Sequence, residues 1–503
     1  MPFEYIVTIL IALTPIFYAV IQAALDAKKE IKEIKIDLLI ITPVRFSQEV
    51  LPLVAHKKQS GITSEIVTLE QIYASYSGRD EAEQVKNCLF AYWRDHSIRY
   101  AMLVGDCDVF PVRFTNTDRG DQAAHNVAYY STDLYFACLT KADGSFDDWD
   151  HNQNGFFGEL QGETHAGKIN VDDVSIKPTI AIGRVPASTE AEIATFVSKV
   201  ISYEQSAGWW TTFLETPTWH KRVLLIATSD YDRNACLVQN VVASMFSIRY
   251  DIDKLYSSET SETCGITEEL CTDNIVKKLN DGVVFASYIG HGSLSGWSFF
   301  SIDDIRELTN QTMLPIIFAS ACNTTEFATN PPYSGYTDID GNDHLGTNNG
   351  ETFASTPPRP ACIQATNNQE SFGEELTVKN ASGAVAYVGA ITGSQQSSFE
   401  LNRYFFKGIS REERTILLGD VWVYMINEYY ENVNIPEVLA KPDWGQVANF
   451  HQPWKYFLFG DPSLRIKRPR LGLRVIKFVF VIYDWFTPPW IKRYIEQRGK
   501  AHS

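Results

Sequence analysis

The sequence predicts an α/β fold: a mostly parallel β-sheet flanked by helices, preceded by a smaller α/β subdomain. Hydrophobic residues make up 45% of the 503-residue chain and charged residues 21%, so most of the chain can bury a core. Short apolar runs, typical of strands buried on both faces, alternate with amphipathic stretches of helical period. The length suits two or three domains, or one large α/β domain with additions.

The first elements form a βαβαβ series. Leu38–Ile41 is a continuous apolar run and predicts a buried strand. Ser47 can cap a helix that runs to Gln59 and stops at Gly61. The elements expected next are a strand at Ile66–Leu69, a helix at Glu81–Trp93 and a strand at Tyr100–Val104. This order implies parallel pairing.

A second α/β series begins near residue 176. It opens with a strand at Thr179–Val185 and a helix whose Thr189 and Glu192 have capping-box spacing. Residues 323–370 are rich in Asn, Thr, Gly and Pro and predict a long loop insertion. The remaining expected strands are Arg222–Ala227, Gly282–Ile289, Leu314–Ser320 and Ala384–Gly389.

Composition divides the chain into four segments. A polar stretch from Thr115 to Asp173, with a strand-like part at Asp133–Leu139, closes the first series. The predicted segments are a hydrophobic signal or anchor at 1–35, the smaller subdomain at 36–175, the larger subdomain at 176–470 and a basic, aromatic C-terminal segment at 471–503.

The two ends of the chain carry apolar segments. Tyr5–Leu25 is long enough to span a bilayer. A basic start typical of secretory signals is lacking and several lysines follow, which favours a retained membrane anchor over a cleaved signal or a buried helix. Leu473–Phe486 is too short to span a bilayer. It is interpreted either as a segment that lies at the membrane interface or as a helix packed on the domain. The protein is therefore expected to be membrane-associated or secreted, with the side of the membrane open.

The net charge and the cysteine spacing exclude some classes of function. The chain has 61 acidic and 44 basic residues, a formal net charge of -17, which disfavours nucleic acid as a partner because phosphate binding needs a basic field. Peptides, proteins and cations remain as partners. No CxxC pair occurs among the eight cysteines, which argues against a zinc knuckle or a thioredoxin-type motif and leaves disulfides open. No organic cofactor is expected.

The most informative feature is a pair of similar strand ends. The apolar run at Val283–Ile289 leads into Gly290-His291-Gly292, and the run at Pro315–Ser320 leads into Ala321-Cys322-Asn323. Ligands of parallel sheets bind beyond the carboxyl ends of strands, so neighbouring strands would bring imidazole and thiol to one edge. A thiolate is a nucleophile and an adjacent imidazole can take its proton. The backbone N–H groups of Gly292 and Cys322 are the candidate oxyanion donors.

These residues resemble the gingipain-type cysteine peptidases of the caspase-like clan. The resemblance covers about residues 36–468 and implies a caspase-like sheet, a His291–Cys322 dyad in a catalytic subdomain and endopeptidase activity on proteins or peptides through a thioester acyl-enzyme. The blocks that carry it are Asp37–Ile41, Leu103–Pro111, Ile182–Pro186, Gly290–Gly292, Ala321–Asn323 and Phe459–Pro462.

One position departs from the family pattern. Related chains carry an acidic residue four positions before the Gly of the Ile182–Pro186 block, where it can orient the histidine, and this chain has Thr179. Asp172 or Asp173 are the candidates to replace it. The departure, together with the long insertion, keeps open an alternative: a catalytically silent caspase-like scaffold that acts as a membrane-associated binding or assembly protein. The family's preference for Arg or Lys is not carried over.

A polar loop predicts a structural calcium site. Oxygen-bearing residues alternate as in the first half of an EF-hand loop, although the glutamate comes early. Similar loops occur in the family that the chain resembles, and a metal-free polar turn is the alternative. The candidate ligands are Asp148, Asp150, Asn152, Asn154, Phe156 and Glu159. A weaker candidate set is Asp338, Asp340 and Asn342. Trp297 and the segment Ser293–Phe300 are expected either to line a substrate cleft or to pack in the core.

Overall fold

The computed structural model describes residues 35–469, apart from 117–128, 161–168, 207–217, 230–233, 247–248, 259–263, 330–335, 338–342, 345–368, 412, 414, 434–437 and 439–443. The strands of this part are β1 Leu38–Thr42, β2 Ser64–Thr68, β3 Tyr100–Val104, β4 Phe114–Asn116, β5 Tyr129–Ser131, β6 Ala181–Val185, β7 Arg222–Ala227, β8 Asp251–Tyr256, β9 Glu268–Glu269, β10 Phe285–Ile289, β11 Gly292–Ser293, β12 Gly296–Trp297, β13 Phe300–Ser301, β14 Ile316–Ser320, β15 Tyr336–Thr337, β16 Asp343–His344, β17 Ala386–Ala390 and β18 Tyr456–Phe459.

Helices cover the sheet. The α-helices are α1 Leu51–Gln59, α2 Leu69–Ser75, α3 Glu81–His96, α4 Leu134–Ala137, α5 Glu190–Gln205, α6 Ala235–Met245, α7 Thr272–Asp281, α8 Ile302–Arg306, α9 Phe372–Glu374, α10 Ser398–Ser410, α11 Leu418–Asn432 and α12 Trp444–His451. Shorter turns of 3₁₀-helix lie at Val44–Phe46, Thr218–Lys221 and Gln452–Lys455, and a π-helical turn lies at Glu375–Lys379.

One large sheet organises the molecule. Eleven strands pair in the order β2-β1-β3-β6-β18-β17-β14-β10-β7-β8-β9. Every neighbouring pair is parallel except β17 and β18. The direction of the sheet therefore reverses once. As a result the carboxyl ends of β10, β14 and β17 lie at the same edge as the amino ends of β6 and β18.

The predicted alternation of strands and helices is confirmed. The central strands β1, β3, β6, β10, β14 and β17 are buried at every position, as continuous apolar runs in a doubly covered sheet should be. Thr189 and Glu192 form the expected capping box at the start of α5. A mostly parallel α/β sheet flanked by helices is therefore the fold of this chain.

Two local predictions are wrong. Asp133–Leu139 was expected to be strand-like, but it holds the short helix α4, whose four residues are all buried. A continuous apolar run does not distinguish a strand from a buried helical turn. Ser47 does not cap the following helix, because α1 begins only at Leu51, and the Ser47 hydroxyl instead donates to the carbonyl of Val44 at 2.7 Å.

The core is continuous across the predicted subdomain boundary at residue 175, since β6 pairs with β3 on one side and β18 on the other. A buried ionic cluster also joins the two parts. Lys57 of α1 forms ion pairs with Glu204 at 2.9 Å and with Asp461 at 2.6 Å, and all three side chains are buried. The division into two subdomains stays a prediction.

Several predicted features lie outside the described residues: the apolar segments 5–25 and 473–486, the cluster Asp338, Asp340 and Asn342, and most of the insertion at 323–370. In the part of the chain that the structure covers, no helix has the length and apolar character needed to cross a membrane. Cys236 and Cys264 form a disulfide that ties the start of α6 to the chain before β9.

Candidate active site

His291 and Cys322 occupy equivalent places on neighbouring strands. Strands β10 and β14 run parallel with Ile289 opposite Ser320, and each functional residue follows two positions later. The predicted placement of the two residues at one edge of the sheet is therefore confirmed. His291 is exposed and Cys322 is half-buried, so solvent reaches this edge.

The turn that carries His291 rests on an aromatic stack. The Tyr288 hydroxyl donates to the carbonyl of His291 at 2.7 Å, and the Tyr288 ring stacks on Trp297 with centroids 4.4 Å apart. Trp297 is only 6% exposed and its indole N–H donates to the Tyr387 hydroxyl at 3.2 Å. Trp297 thus packs in the core and supports the histidine turn. Its neighbour Phe299 is 40% exposed.

Gly292 lies against the backbone of Cys322. A Cβ at Gly292 would stand 2.6 Å from the carbonyl oxygen of Cys322 and 2.7 Å from the Cβ of Ala321. Contacts this short require a residue without a side chain. The turn after β14 is equally tight, since Asn323 has a φ of 57°, in the left-handed region where Asn is tolerated better than most residues. Gly292, in the turn after β10, therefore packs directly against the turn that carries Cys322.

The sulfur of Cys322 is held by one residue of the loop after β17. The backbone N–H of Ser394 donates to Sγ at 3.3 Å, and Sγ lies 3.6 Å from the carbonyl oxygen of Ser394. Burial raises the pKa of the Cys322 thiol, while the Ser394 N–H and the charge of Lys455 act in the opposite direction. The effect of burial is the largest, so the pKa of Cys322 is raised overall. The thiol therefore needs a base to become a nucleophile.

Lys455 is a member of the site that the sequence did not reveal. Its side chain is fully buried, and its ammonium donates to the carbonyl of Gly393 and to Oε1 of Gln395, both at 2.8 Å. The residue immediately precedes β18, the strand that reverses the sheet. The sequence does not show at which edge of the sheet a lysine before an apolar strand lies. The order and direction of the strands bring the charge of Lys455 close to Cys322.

A pocket of about 450 Å³ opens beside the nucleophile. Ser394 lines the pocket and contacts the Cys322 sulfur. The Ser394 hydroxyl also forms hydrogen bonds with the Tyr456 hydroxyl at 2.7 Å and with Nε2 of Gln452 at 3.1 Å. The residues lining the pocket are Ser394, Gln395, Gln396, Ser397, Gly445, Ala448 and Asn449.

Thr179 and the candidate orienting residue Asp172 both form hydrogen bonds with other parts of the chain. Thr179 precedes β6 at the active-site edge, and its hydroxyl accepts a hydrogen bond from the N–H of Leu139 at 3.1 Å. The Asp172 carboxylate accepts from the N–H groups of His151 at 3.0 Å and Glu159 at 2.8 Å. Asp172 therefore closes the predicted calcium loop. An orienting role for Asp172 or Asp173 stays a prediction.

In the loop at 148–159, N–H groups donate to the carboxylates of Asp150 and Glu159. One oxygen of Asp150 accepts from the N–H of Gly155 at 3.0 Å and also lies 2.7 Å from Arg79. Asn152 and Asn154 both donate their side-chain N–H to Glu159, at 2.7 and 2.8 Å. Within the described ranges, no three His, Cys, Asp or Glu side chains are grouped closely enough to hold a metal. Arg79, on the other side of the loop, supplies the local positive charge.

Comparison with known proteins gives a family match and a set of similar sequences. The family model described as peptidase family C25 matches residues 31–467. Gingipain R2 of Porphyromonas gingivalis strain W83 is 23% identical over 304 residues, which are 59% of this chain and 33% of that protein. Lys-gingipain W83 of Porphyromonas gingivalis is 28% identical over 305 residues, 57% of this chain and 14% of that protein. The alignments thus span a third or less of these relatives.

Solved structures show the same fold. The crystal structure of the Arg-specific cysteine proteinase gingipain R matches with a TM-score of 0.57 and 16% identity over 87% of this chain and 80% of that one. The complex of the Porphyromonas gingivalis RgpB pro- and mature domains matches with a TM-score of 0.55 and 16% identity over 86% of this chain and 80% of the other. At this identity the likeness is one of architecture.

Proposed function

Because the chain belongs to peptidase family C25, we propose that it is a cysteine endopeptidase in which His291 and Cys322 are the catalytic pair. Its substrates are proteins or peptides. The alternative of a catalytically silent scaffold is not favoured by the family match.

The pairing of β10 with β14 is the observation that carries this proposal. With Ile289 opposite Ser320, the residues two positions further on share one solvent-reachable edge. Gly292 packs on the Cys322 carbonyl, so the N–H groups of both residues belong to the same small region. A nucleophile, a base and two backbone donors within one region are the parts that acyl transfer needs.

The first half of the reaction forms an acyl-enzyme. His291 accepts the thiol proton of Cys322, and the thiolate attacks the scissile carbonyl carbon to give a tetrahedral oxyanion. The backbone N–H groups of Gly292 and Cys322 stabilise that oxyanion. The carbon–nitrogen bond then breaks, the amine leaves with the proton from His291, and a thioester remains on Cys322.

The second half restores the enzyme. His291 takes a proton from water, the resulting hydroxide attacks the thioester carbonyl, and the carbon–sulfur bond breaks. The peptide acid leaves and the Cys322 sulfur regains its proton. Since the resting thiol has a raised pKa, the first half requires a base; in the second half the proton that returns to the Cys322 sulfur comes from His291.

A peptide carrying a thiol-reactive group tests this proposal. It should label Cys322 in the intact chain, located by mass spectrometry of the digested protein. Cys322→Ala should abolish both labelling and peptide hydrolysis. Cys271→Ala is the matched control, because Cys271 is the other half-buried free cysteine of the described part. Full turnover by Cys322→Ala would contradict the assignment.

We also propose that the loop at 148–159 binds a structural calcium ion. Carboxylate and amide oxygens are the donors that calcium prefers. Burial raises the pKa of Asp172 to about 6, and the charges of Glu159 and Asp150 add to the effect, so three carboxylates crowd this loop. A divalent cation would relieve that repulsion. The ligands proposed are Asp148, Asp150, Asn152, Asn154, the backbone of Phe156 and Glu159.

We further propose that the protein is exported and associates with a membrane through residues 5–25. The length and apolar character of that segment support the anchor. The Cys236–Cys264 disulfide supports an oxidising compartment. Membrane fractionation of the full chain, with a variant lacking residues 1–34 as control, tests this; recovery of both in the soluble fraction would contradict the anchor.

A further inference from the structure

The pocket beside Cys322 is a candidate site for the substrate side chain that precedes the scissile bond. That side chain belongs to the residue whose carbonyl carbon is attacked, so it binds close to the nucleophile. Ser394 is the link here, since it lines the pocket and its N–H donates to the sulfur of Cys322 at 3.3 Å. At about 450 Å³ the pocket is within the range of ligand sites.

The lining of this pocket is polar and uncharged. Its side chains are two glutamines, two serines, an asparagine and an alanine, with one glycine; no acidic residue belongs to this described set. Glu400, one helical turn beyond Ser397, is ion-paired with Arg403 and is not among the lining residues.

A buried positive charge lies behind the pocket. Lys455 donates to Oε1 of Gln395 at 2.8 Å, directly behind the lining. The ammonium is fully buried, so little solvent screens its field. A second cation in the pocket would be repelled by Lys455 and would find no carboxylate partner among the lining residues that the structure describes.

We infer, on the basis of the proposed endopeptidase function, that this pocket selects substrates with an uncharged polar side chain before the scissile bond and rejects Arg and Lys. Amide and hydroxyl groups of the lining can satisfy a Gln, Asn, Ser or Thr side chain. An apolar side chain would shield the amides of Gln396 and Asn449 from water without offering them a hydrogen-bond partner, which costs binding free energy. A cationic side chain would lose its hydration without gaining an opposite charge among the described lining residues.

A peptide library that varies only the residue before the scissile bond tests this inference on the full chain. Peptides with Gln, Asn, Ser or Thr at that position should be cleaved with a kcat/KM at least about tenfold above the Arg and Lys peptides, as expected for one hydrogen bond left unpaired. Equal or faster cleavage after Arg or Lys would overturn it, and so would a preference for Asp or Glu.

Ser397 offers a matched pair of variants. It is the N-cap residue of α10 and makes no capping hydrogen bond through its side chain, and both Asp and Asn are favoured at helix N-caps. Ser397→Asp adds one negative charge to the pocket and should raise kcat/KM for Arg peptides about tenfold relative to Ser397→Asn, the uncharged control. Identical Arg cleavage by the two variants would show that this cavity does not bind that side chain.

The two proposals fail in different ways. If Cys322 is not labelled and no peptide is cleaved, the proposed function is wrong and the specificity question does not arise. If Cys322 is labelled and peptides are cleaved, but with Arg or Lys preferred, the endopeptidase assignment stands and the assignment of the pocket is wrong.

Discussion

The backbone N–H of Ser394 donates a hydrogen bond to the sulfur of Cys322 at 3.3 Å, although 72 residues separate them in sequence. The same serine lines the pocket beside the nucleophile. A substrate side chain that enters the pocket therefore contacts the segment that holds the thiol. Ser394 thus links the binding of a side chain in this pocket to the position of the Cys322 sulfur.

Gly292→Ala should abolish most of the activity. The new Cβ would stand 2.6 Å from the Cys322 carbonyl oxygen, and the turn that presents the candidate oxyanion donor would have to move. Loss of one such donor costs about 10²–10³ in kcat. Steady-state kinetics on a peptide substrate measures the change. Ser295→Ala, at an exposed position of the same turn, is the control and should keep nearly full activity.

Lys455→Met should make the Cys322 thiol less acidic. The ammonium favours the thiolate, so its removal raises the pKa of Cys322, and alkylation by iodoacetamide should require a higher pH. Lys407→Met removes a surface lysine paired with Glu428 and should leave the alkylation profile in place. An unchanged profile for Lys455→Met would mean that its charge does not reach the sulfur.

Glu374→Gln should stabilise the protein more at pH 8 than at pH 5. Burial raises the pKa of Asp106 to about 6, and burial together with the charge of Asp106 raises the pKa of Glu374 well above its usual value; a hydrogen bond from Glu374 acts in the opposite direction on Asp106. Because the folded-state pKa values are raised, these groups favour folding below about pH 4, and that contribution is lost as the pH rises through about 6.

Glutamine keeps the acceptor for Ser371 but carries no charge, so the variant should escape that loss. The difference in unfolding free energy from wild type should grow between pH 5 and pH 8, measured by urea unfolding. Glu431→Gln, at a surface ion pair with Lys177, should show no such trend. A constant difference for Glu374→Gln would contradict the raised pKa values.

Calcium should raise the melting temperature and a chelator should lower it. Saturation at a hundred times Kd adds about 2.7 kcal/mol to folding stability, which corresponds to a shift of a few degrees in a chain of this size. Asp150→Asn should remove the calcium response, whereas Asp143→Asn, in an exposed turn nearby, should retain it. Equal melting of the wild type with calcium and with chelator would disprove the site.

Local sequence was sufficient for most elements of the sheet. Leu38–Ile41 and Tyr100–Val104 are apolar throughout and are buried strands. It failed at Asp133–Leu139, where a run of buried residues forms a helical turn. It also failed at Ser47, a good capping residue that sits four positions before α1. In both cases tertiary packing overrode a local preference.

The sequence by itself determined the α/β class and the positions of His291 and Cys322 at the ends of two strands. A strand buried on both faces of a sheet is a continuous apolar run, which can be recognised in the sequence. Tertiary structure alone decided what surrounds them. The antiparallel pairing of β18 with β17 brings Lys455 to the edge where Cys322 lies, and the loop after β17 brings Ser394 to its sulfur. Those contacts depend on strand order and direction, to which a local pattern of apolar and polar residues is insensitive.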